Sequence, residues 1–597
     1  MSNAVQAIRR GAGFTSTRPR LAVPLSALGA VLLIAGSLLP WATFILNDAP
    51  YPEKATLQFF DAPFEVGGYR AHLLWFGVAA LVVTFVTRIP GRGRVLRALG
   101  WGGLAVALIT TFFIAQRGGG LGAVTAADGA TALGGIVGIA GGLLLILGAT
   151  AAGIGEIPQW RTDLPRPLAW LVLAVAFAGV LYLVSLTLTA GGTGGASNPH
   201  AGPVFVAFLG MAGGLLGALH GLGVTRWVSA LSEGHRAFSI VVLVLCALAL
   251  PLTKADSEYW MTVSVTIGVY AVTAIGLNIV VGLAGLLDLG YVAFMGIGAF
   301  VAANLSGATA SKLGVTLPFP IVAVIAAVIA GVFGAVVGSP TLRVRGDYLA
   351  IVTLAFGEIF RKSAQNNIGG LTGGANAIPG IPQLEIGGTA FSDSITVGSV
   401  ELPAGVLYYF LIVLVVAAVM AIFANLKSSR IGRAWIAIRE DEDAARAMGI
   451  KTGKIKILAF LVGATLAGVA GAIFAHKFSQ ASYDQFTFIE SVTLLAAVIL
   501  GGMGTIPGAV LGASLLFVLP ERLREFADYR LMIFGLALVF IMRFRPQGLV
   551  PDRVRRAEFA GETAEGKSIE ELEEELVAEH ELAEEAAVGA TAKENPS

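Results

Sequence analysis

The sequence predicts an all-α, polytopic integral membrane protein with about 14–16 transmembrane helices, some of them broken by glycine. Of its 597 residues, 56% are hydrophobic and only 13% are charged, which is too much apolar surface for a soluble globular protein. Many of the apolar runs have about the 20-residue length that a bilayer crossing requires. The 77 glycines suit a helix bundle in lipid, where small residues let backbones approach closely.

Residues 1–235 are predicted to form an N-terminal transmembrane extension, to which the sequence assigns no role. Arginines such as Arg20, Arg92 and Arg226 gather in alternate loops, and the loops between them carry few basic residues. By the positive-inside rule this pattern places the N-terminus in the cytoplasm. Seven spans are predicted before Lys254, at 22–46, 71–89, 95–115, 131–155, 168–190, 202–223 and 237–253.

Residues 236–550 are predicted to form the membrane core. Glycines interrupt the apolar pattern at 284–290 and 501–508, which indicates broken helices that face protein or a water-filled cavity. The remaining spans are predicted at 259–283, 286–305, 318–340, 348–365, 403–426, 457–475, 489–501, 506–520 and 530–543.

Residues 551–597 are rich in glutamate and are predicted to be an acidic cytoplasmic tail, so that both termini lie on the cytoplasmic side. Within the tail, GETAEGKS at 561–568 matches the letters of the phosphate-binding loop G-x-x-x-x-G-K-[ST]. That loop requires a buried strand before it and a nucleotide-binding domain around it, and the acidic neighbours repel phosphate. The sequence therefore predicts no ATPase on this chain, no catalytic or metal-binding residues, and no cofactor.

The segment from Ser429 to Ile450 concentrates charge between two long apolar runs. Moving a single Asp, Lys or Arg to the bilayer centre costs about 2.5 to 3.5 kcal/mol, so the segment must stay in water. Acidic residues from Glu440 to Asp443, alanines after them and a stop at Gly449 predict a short surface helix.

This segment resembles the cytoplasmic EAA coupling loop of ABC importer permeases through Glu442, Ala444, Ala445 and Gly449. Other blocks, in order and at family spacing, are similar to the LivM-type permease of branched-chain amino-acid transporters, and the resemblance covers roughly 255–550. In the third block the family more often reads LTGGPNGI, where this chain has Ala375 and Ala377. The blocks are GLAGLLDLGYVAFMGIGAF (Gly282 to Phe300), RGDYLAIVTLAFGEIFR (Arg345 to Arg361), LTGGANAIPGIP (Leu371 to Pro382) and GGMGTIPGAVLGA (Gly501 to Ala513).

The resemblance implies a permease subunit of an ATP-driven importer for branched-chain or other small apolar amino acids, multi-pass in a bacterial plasma (inner) membrane. It implies two ABC ATPase subunits that hydrolyse the ATP, a second related permease subunit or a homodimer, and an extracytoplasmic substrate-binding protein. The lipid bilayer surrounds the chain, and no nucleic acid is involved. The coupling helix at about 433–449 is expected to bind the ATPases through Gly432, Arg433, Arg439, Glu440, Glu442, Ala444, Ala445 and Gly449.

Four polar residues are candidates for the translocation pathway: Asn278, Asp288, Tyr291 and Glu358. Glu358 lies inside an apolar run, where a carboxylate is a functional candidate, but a pair with Arg361 or Lys362 would explain it equally well. Asp288 lies at a glycine break, Tyr291 follows it, and Asn278 can hydrogen-bond between helices. Glu358 and the broken helices motivate an alternative function, a gradient-driven secondary transporter or channel for a small solute.

Overall fold

The structure is a computed structural model. Most of the predicted span 530–543, the arginines up to Arg18 and the whole acidic tail lie outside the residues that it describes. It describes residues 19–522 and 548–550 and the single positions Gly535, Val539 and Arg543, with gaps at 43, 47–48, 52–56, 61–65, 87–88, 90, 118–119, 121, 123–125, 128–129, 154–156, 159, 190–200, 254–256, 340–347 and 398–399.

Within this described part of the chain, nine helices are long and apolar enough to cross a membrane. The helices Phe205–Gly221 and Val224–Gly234, bent by 73° at their break, make a tenth span if they count as one. The predicted class, an all-α polytopic membrane protein, is therefore confirmed. Shorter apolar helices are Arg70–Phe85, Arg236–Leu248, Val292–Leu305 and Ile506–Leu519.

The chain divides into two compact units, and the predicted boundaries at 235 and 550 stay a prediction. The first unit comprises Met1–Val265, Glu385–Leu414 and Val518–Arg530, and the second comprises Thr266–Leu384, Val415–Phe517 and Leu531–Ser597. The first eight α-helices, all in the first unit, are α1 (Pro19–Leu38), α2 (Tyr69–Phe85), α3 (Arg92–Arg117), α4 (Gly134–Ala151), α5 (Arg166–Thr189), α6 (Ala201–Gly221), α7 (Val224–Gly234) and α8 (Arg236–Leu248).

In the first unit, α1 packs on α2 and α4, and α3 packs on α4 and α6. Glycine makes these approaches possible, since a Cβ on Gly29 would lie 2.5 Å from the backbone nitrogen of Leu145. The predicted span 237–253 is shorter than expected, because α8 ends at Leu248 and Pro251 lies in the following 3-10 turn.

The remaining helices follow in chain order. The π turn Ile279–Leu283 continues α9, and Asp441 separates α14 from α15. They are α9 (Glu258–Asn278), α10 (Val292–Leu305), α11 (Phe319–Gly338), α12 (Tyr348–Gln365), α13 (Val406–Ser428), α14 (Arg430–Glu440), α15 (Glu442–Ala447), α16 (Thr452–Phe478), α17 (Phe488–Gly501) and α18 (Ile506–Arg522).

Helix α16 is central to the second unit, where it packs on both α10 and α11. A Cβ on Gly298 of α10 would lie 2.7 Å from the Cα of Gly468, and one on Gly334 of α11 would lie 2.5 Å from the Cβ of Ala464. Helices α10 and α16 therefore touch through their backbones, and no side chain larger than hydrogen fits at Gly298 or Gly334.

Short antiparallel strand pairs occur in the loops. The sequence did not predict them, because two to four residues are too few to produce an alternating pattern. The strands are β1 (Phe44–Leu46), β2 (Ala49–Tyr51), β3 (Leu57–Phe60), β4 (Val66–Gly68), β5 (Ala126–Ala127), β6 (Ala130–Thr131), β7 (Ile378–Pro379), β8 (Glu385–Ile386), β9 (Thr389–Ala390), β10 (Ile395–Val397), β11 (Val400–Leu402) and β12 (Gln480–Ala481). Each pairs with its neighbour in sequence, except that β7 pairs with β12.

Candidate functional site

The charged segment forms two helices, α14 and α15, rather than the single short helix that the sequence predicts. Ser429 begins α14, because its hydroxyl accepts a hydrogen bond from the backbone N–H of Gly432 (3.2 Å). Trp435 is fully buried and donates its indole N–H to the carbonyl of Ile455 (2.8 Å). Helix α14 is therefore attached to the first turn of α16 by a large apolar side chain with a satisfied polar group.

Helix α15 has a defined start and a defined end. Asp441 is its N-cap, since one carboxylate oxygen accepts hydrogen bonds from the backbone N–H groups of Asp443 (2.8 Å) and Ala444 (2.9 Å). Gly449 has a φ of +87°, and the following Ile450 donates to the carbonyl of Ala445 (3.1 Å), which forms a Schellman stop. The acid at Asp441 thus ends one helix and begins the next.

Glu442 joins α15 to α16. Its carboxylate pairs with Arg446 one turn later (3.1 Å) and with Lys456, whose side chain is only 5% exposed. Partial burial by itself raises the pKa of Glu442, but the hydrogen bond and charge of Lys456, with help from Thr452 and Arg446, lower the pKa below its usual value of 4.5. The folded state therefore favours the ionised carboxylate.

We expect this pair to make stability depend on pH. Because the folded pKa of Glu442 is lowered, its stabilisation is complete above about pH 4.5 and is lost as pH falls through the folded pKa. The difference in thermal unfolding midpoint between wild type and Glu442→Gln should shrink between about pH 7 and about pH 3. Asp443→Asn is the matched control, since Asp443 is 68% exposed and should show no comparable change. A wild-type advantage that stayed constant over this range would contradict the assignment.

One face of α15 is open. Of the predicted contact residues, Arg433, Glu440, Ala444 and Gly449 are exposed, whereas Gly432 and Ala445 are buried against the protein. Met448, which the sequence analysis missed, is 84% exposed. A methionine inside a charged segment was the available signal, because flexible, polarizable methionine is frequent on protein-binding surfaces.

Helix α13 ends at Ser428 and α14 begins at Arg430, and we call this turn, with the helix ends beside it, the α13–α14 elbow. Two cationic side chains of the elbow form hydrogen bonds to the glycine breaks. Arg439 donates from its guanidinium to the carbonyl of Gly282 (2.7 Å), and its stem covers Gly285, whose φ is +70°. Lys427 donates to the carbonyl of Gly504 (2.8 Å). Both predicted breaks are present, and each is bonded directly to the charged segment or its entry.

Asn278 connects the two breaks to each other. Its side-chain oxygen accepts from the backbone N–H of Gly504 (2.8 Å), and its side-chain nitrogen donates to the carbonyl of Thr505 (2.9 Å). The residue is fully buried, so these bonds satisfy backbone groups that a broken helix leaves unpaired. The side-chain amide of Asn278 therefore stabilises the two glycine breaks. This structural role does not require a bound solute.

The other pathway candidates lie in different surroundings. Asp288 is fully buried and accepts from the backbone N–H of Gly290 (2.9 Å). Tyr291 is also buried and donates to the carbonyl of Gly463 (2.6 Å). Glu358 is 42% exposed and pairs with Arg361 at 3.0 Å, the structural explanation that its spacing allowed. Asp288 and Tyr291, three residues apart, are therefore both buried. The carboxylate of Glu358, in contrast, is partly exposed and paired with Arg361.

The glycine-rich loop Leu371 to Pro382 is attached to the end of α16. The carbonyl of Pro382 lies 2.8 Å from the imidazole Nδ1 of His476, and strands β7 and β12 pair beside it. Ala377 has a φ of +58°, which L-residues other than glycine rarely adopt. The alanine that departs from the family pattern therefore keeps a backbone conformation suited to glycine.

Apolar spans, glycine-broken helices and a polar segment attached to both breaks define a polytopic membrane permease. Among the described residues, no group of three or more His, Cys, Asp or Glu side chains is placed to hold a metal ion. A family model described as "Branched-chain amino acid transport system / permease component" matches residues 259–542.

Named relatives agree with that match. The chain is 38% identical over 324 residues to the "High-affinity branched-chain amino acid transport system permease protein LivM" of Escherichia coli (strain K12), covering 52% of this chain and 74% of the relative. LivM of Salmonella typhimurium is 37% identical at the same coverage, and BraD of Pseudomonas aeruginosa is 28% identical over 47% of this chain and 91% of BraD. The chain therefore belongs to the branched-chain amino acid permease family, whose members are membrane subunits of ABC importers. No solved structure matches it.

Proposed function

We propose that this chain imports branched-chain or other small apolar amino acids, driven by ATP that two separate ABC ATPase subunits hydrolyse. The observation that supports the proposal is the exposed face of α15, a short helix with fixed ends that exposes Met448, its C-cap, and small residues such as Ala444. Such a helix suits a groove on a partner protein. Supporting this role, the named relatives are permeases of branched-chain amino acid transport systems.

Motion of the ATPases would reach the membrane through two hydrogen bonds. Displacement of α14 moves Arg439 and with it the carbonyl of Gly282, while Lys427 moves the carbonyl of Gly504. Asn278 holds the two breaks together, so the second unit contains a continuous polar connection from the partner surface to its broken helices. Broken helices with two arrangements would provide alternating access for the solute.

The remaining partners follow from the same assignment. A second related permease subunit, or a second copy of this chain, would complete the membrane part, with both termini in the cytoplasm. The loop Leu371 to Pro382, held in place by His476, would receive an extracytoplasmic substrate-binding protein. Because Glu358 is paired with Arg361, the gradient-driven alternative loses its main support.

Met448→Asp tests the ATPase contact. Met448 is 84% exposed, so a charge there should leave folding unchanged but place an unpaired carboxylate in an apolar groove of the partner. We expect at least a tenfold loss of ATPase subunits co-purified in mild detergent, which is the effect of about 1.4 kcal/mol, and a similar loss of ATP-driven uptake in proteoliposomes.

The matched control is Ile386→Asp, which places the same charge at a residue that is 66% exposed on the β8–β9 hairpin. This variant should retain its ATPase subunits. Equal retention by both variants would overturn the assignment of α15, and uptake driven by an ion gradient without ATP would overturn the importer itself.

A further inference from the structure

A groove lies between α3 and α6 of the first unit, outside the residues that the family model matches. The groove is open along one side and has a volume of about 320 Å³. The cavity is lined by Arg94, Arg97 and Trp101 of α3 and by His220 of α6, with Ala98 and Gly217 between them. None of the described residues that line it is acidic.

Small residues form the floor of the groove. A Cβ on Gly217 would lie 3.0 Å from the Cβ of Ala98, and one on Gly102 would lie 2.8 Å from the Cα of Gly214. The helices run antiparallel, because later residues of α3 meet earlier residues of α6. The larger residues on either side of this seam form the walls of the groove.

The two ends of the groove differ in chemistry. The polar lining residues lie at the beginning of α3 (Arg94 and Arg97) and at the end of α6 (His220), the end that the arginine distribution places on the cytoplasmic side. Beyond them an exposed apolar stripe continues along α3 through Trp101 (54% exposed), Leu108 (46%) and Phe112 (62%). Arg97, Trp101, Leu108 and Phe112 are spaced by four, seven and four residues, so they share one helix face.

We propose that this groove binds one anionic phospholipid, with its phosphate at Arg94, Arg97 and His220 and an acyl chain along the stripe from Trp101 to Phe112. Guanidinium groups match phosphate oxygens in geometry and charge, and basic pockets between transmembrane helices bind anionic head groups. Tryptophan is suited to the boundary between head group and chain. A free phosphate ion would meet the same cations but gain nothing from the apolar stripe, which favours the lipid.

The test measures lipid bound to the full-length protein with the subunits that co-purify with it. Delipidated protein in mild detergent is titrated with phosphatidylglycerol or phosphatidylcholine, and native mass spectrometry counts the bound molecules. We expect one phosphatidylglycerol to bind in preference to phosphatidylcholine. Arg97→Gln should weaken phosphatidylglycerol binding about fivefold, the effect expected for one cation near an anionic lipid. Arg226→Gln, which removes an exposed arginine that does not line the cavity, should leave binding unchanged.

Two further measurements distinguish a phospholipid from free inorganic phosphate as the bound molecule. Trp101→Ala should also weaken lipid binding, whereas millimolar inorganic phosphate should not displace the lipid. Equal binding of the two lipids, equal losses in Arg97→Gln and Arg226→Gln, or displacement by inorganic phosphate would each overturn the proposal. Arg97 and Trp101 are both exposed, so the variants should fold, and an unchanged unfolding midpoint verifies this.

Discussion

Arg439→Gln should reduce ATP-driven uptake at least tenfold while the reconstituted complex continues to hydrolyse ATP. The side chain of Arg439 is 12% exposed and donates to the carbonyl of Gly282 at 2.7 Å. Its removal leaves a buried acceptor unpaired, which costs about 1 to 3 kcal/mol, and it breaks the connection between α14 and the first glycine break. The measurement is the ratio of solute transported to ATP hydrolysed in proteoliposomes.

The control for this uncoupling is Arg430→Gln, because Arg430 is an exposed arginine of the same helix, α14, and is not among the predicted ATPase contacts. It should keep the wild-type ratio. Arg439→Lys should recover part of the coupling, since it restores a cation but not the planar guanidinium. A normal transport ratio in Arg439→Gln would show that force reaches the broken helices by another route.

Gly298→Ala should destabilise the protein and lower the yield of folded molecules. The new Cβ would overlap the carbonyl oxygen of Gly468 and lie 2.7 Å from its Cα, and backbone atoms cannot move aside as a flexible side chain can. Overpacking of this kind costs about 1 to 3 kcal/mol, and here it separates two central helices along their length. We expect a severalfold lower yield of monodisperse protein in detergent and a thermal unfolding midpoint several degrees lower.

Gly179→Ala is the matched substitution. Gly179 lies in α5, where a new Cβ meets nothing within 4 Å and the φ is not positive. Alanine there should leave yield unchanged or raise it slightly, because alanine favours helix by about 1 kcal/mol over glycine. Similar behaviour of the two variants would mean that the α10–α16 crossing is looser than the structure indicates.

The membrane spans could be predicted from the sequence because a lipid bilayer requires long apolar runs. The residues at which the helices begin and end could not be predicted. Helix α16 begins at Thr452, five residues before the predicted apolar run, because its first turns carry Lys454, which is exposed, and Lys456, which is paired with Glu442, and hydropathy gives no helix signal for charged residues. The predicted span 286–305, in contrast, begins earlier than the helix does in the structure. Helix α10 begins only at Val292, after Gly285 in a positive-φ conformation and the turn at Asp288.

The contacts that join the two glycine breaks could not be predicted from the sequence. Asn278 bonds Gly504 across 226 residues and Tyr291 bonds Gly463 across 172, and no local pattern records such a separation. In contrast, the Glu358–Arg361 pair was anticipated as one of two explanations, because its spacing is local. The assignment of Asn278, Asp288 and Tyr291 to a solute pathway stays a prediction.

The two carbonyls held by Lys427 and Arg439 lie in different helices that are far apart in sequence, yet a single elbow of the chain holds both. If the ATPases rotate that elbow, as proposed, the two hydrogen bonds would pull on both helix interruptions at the same time.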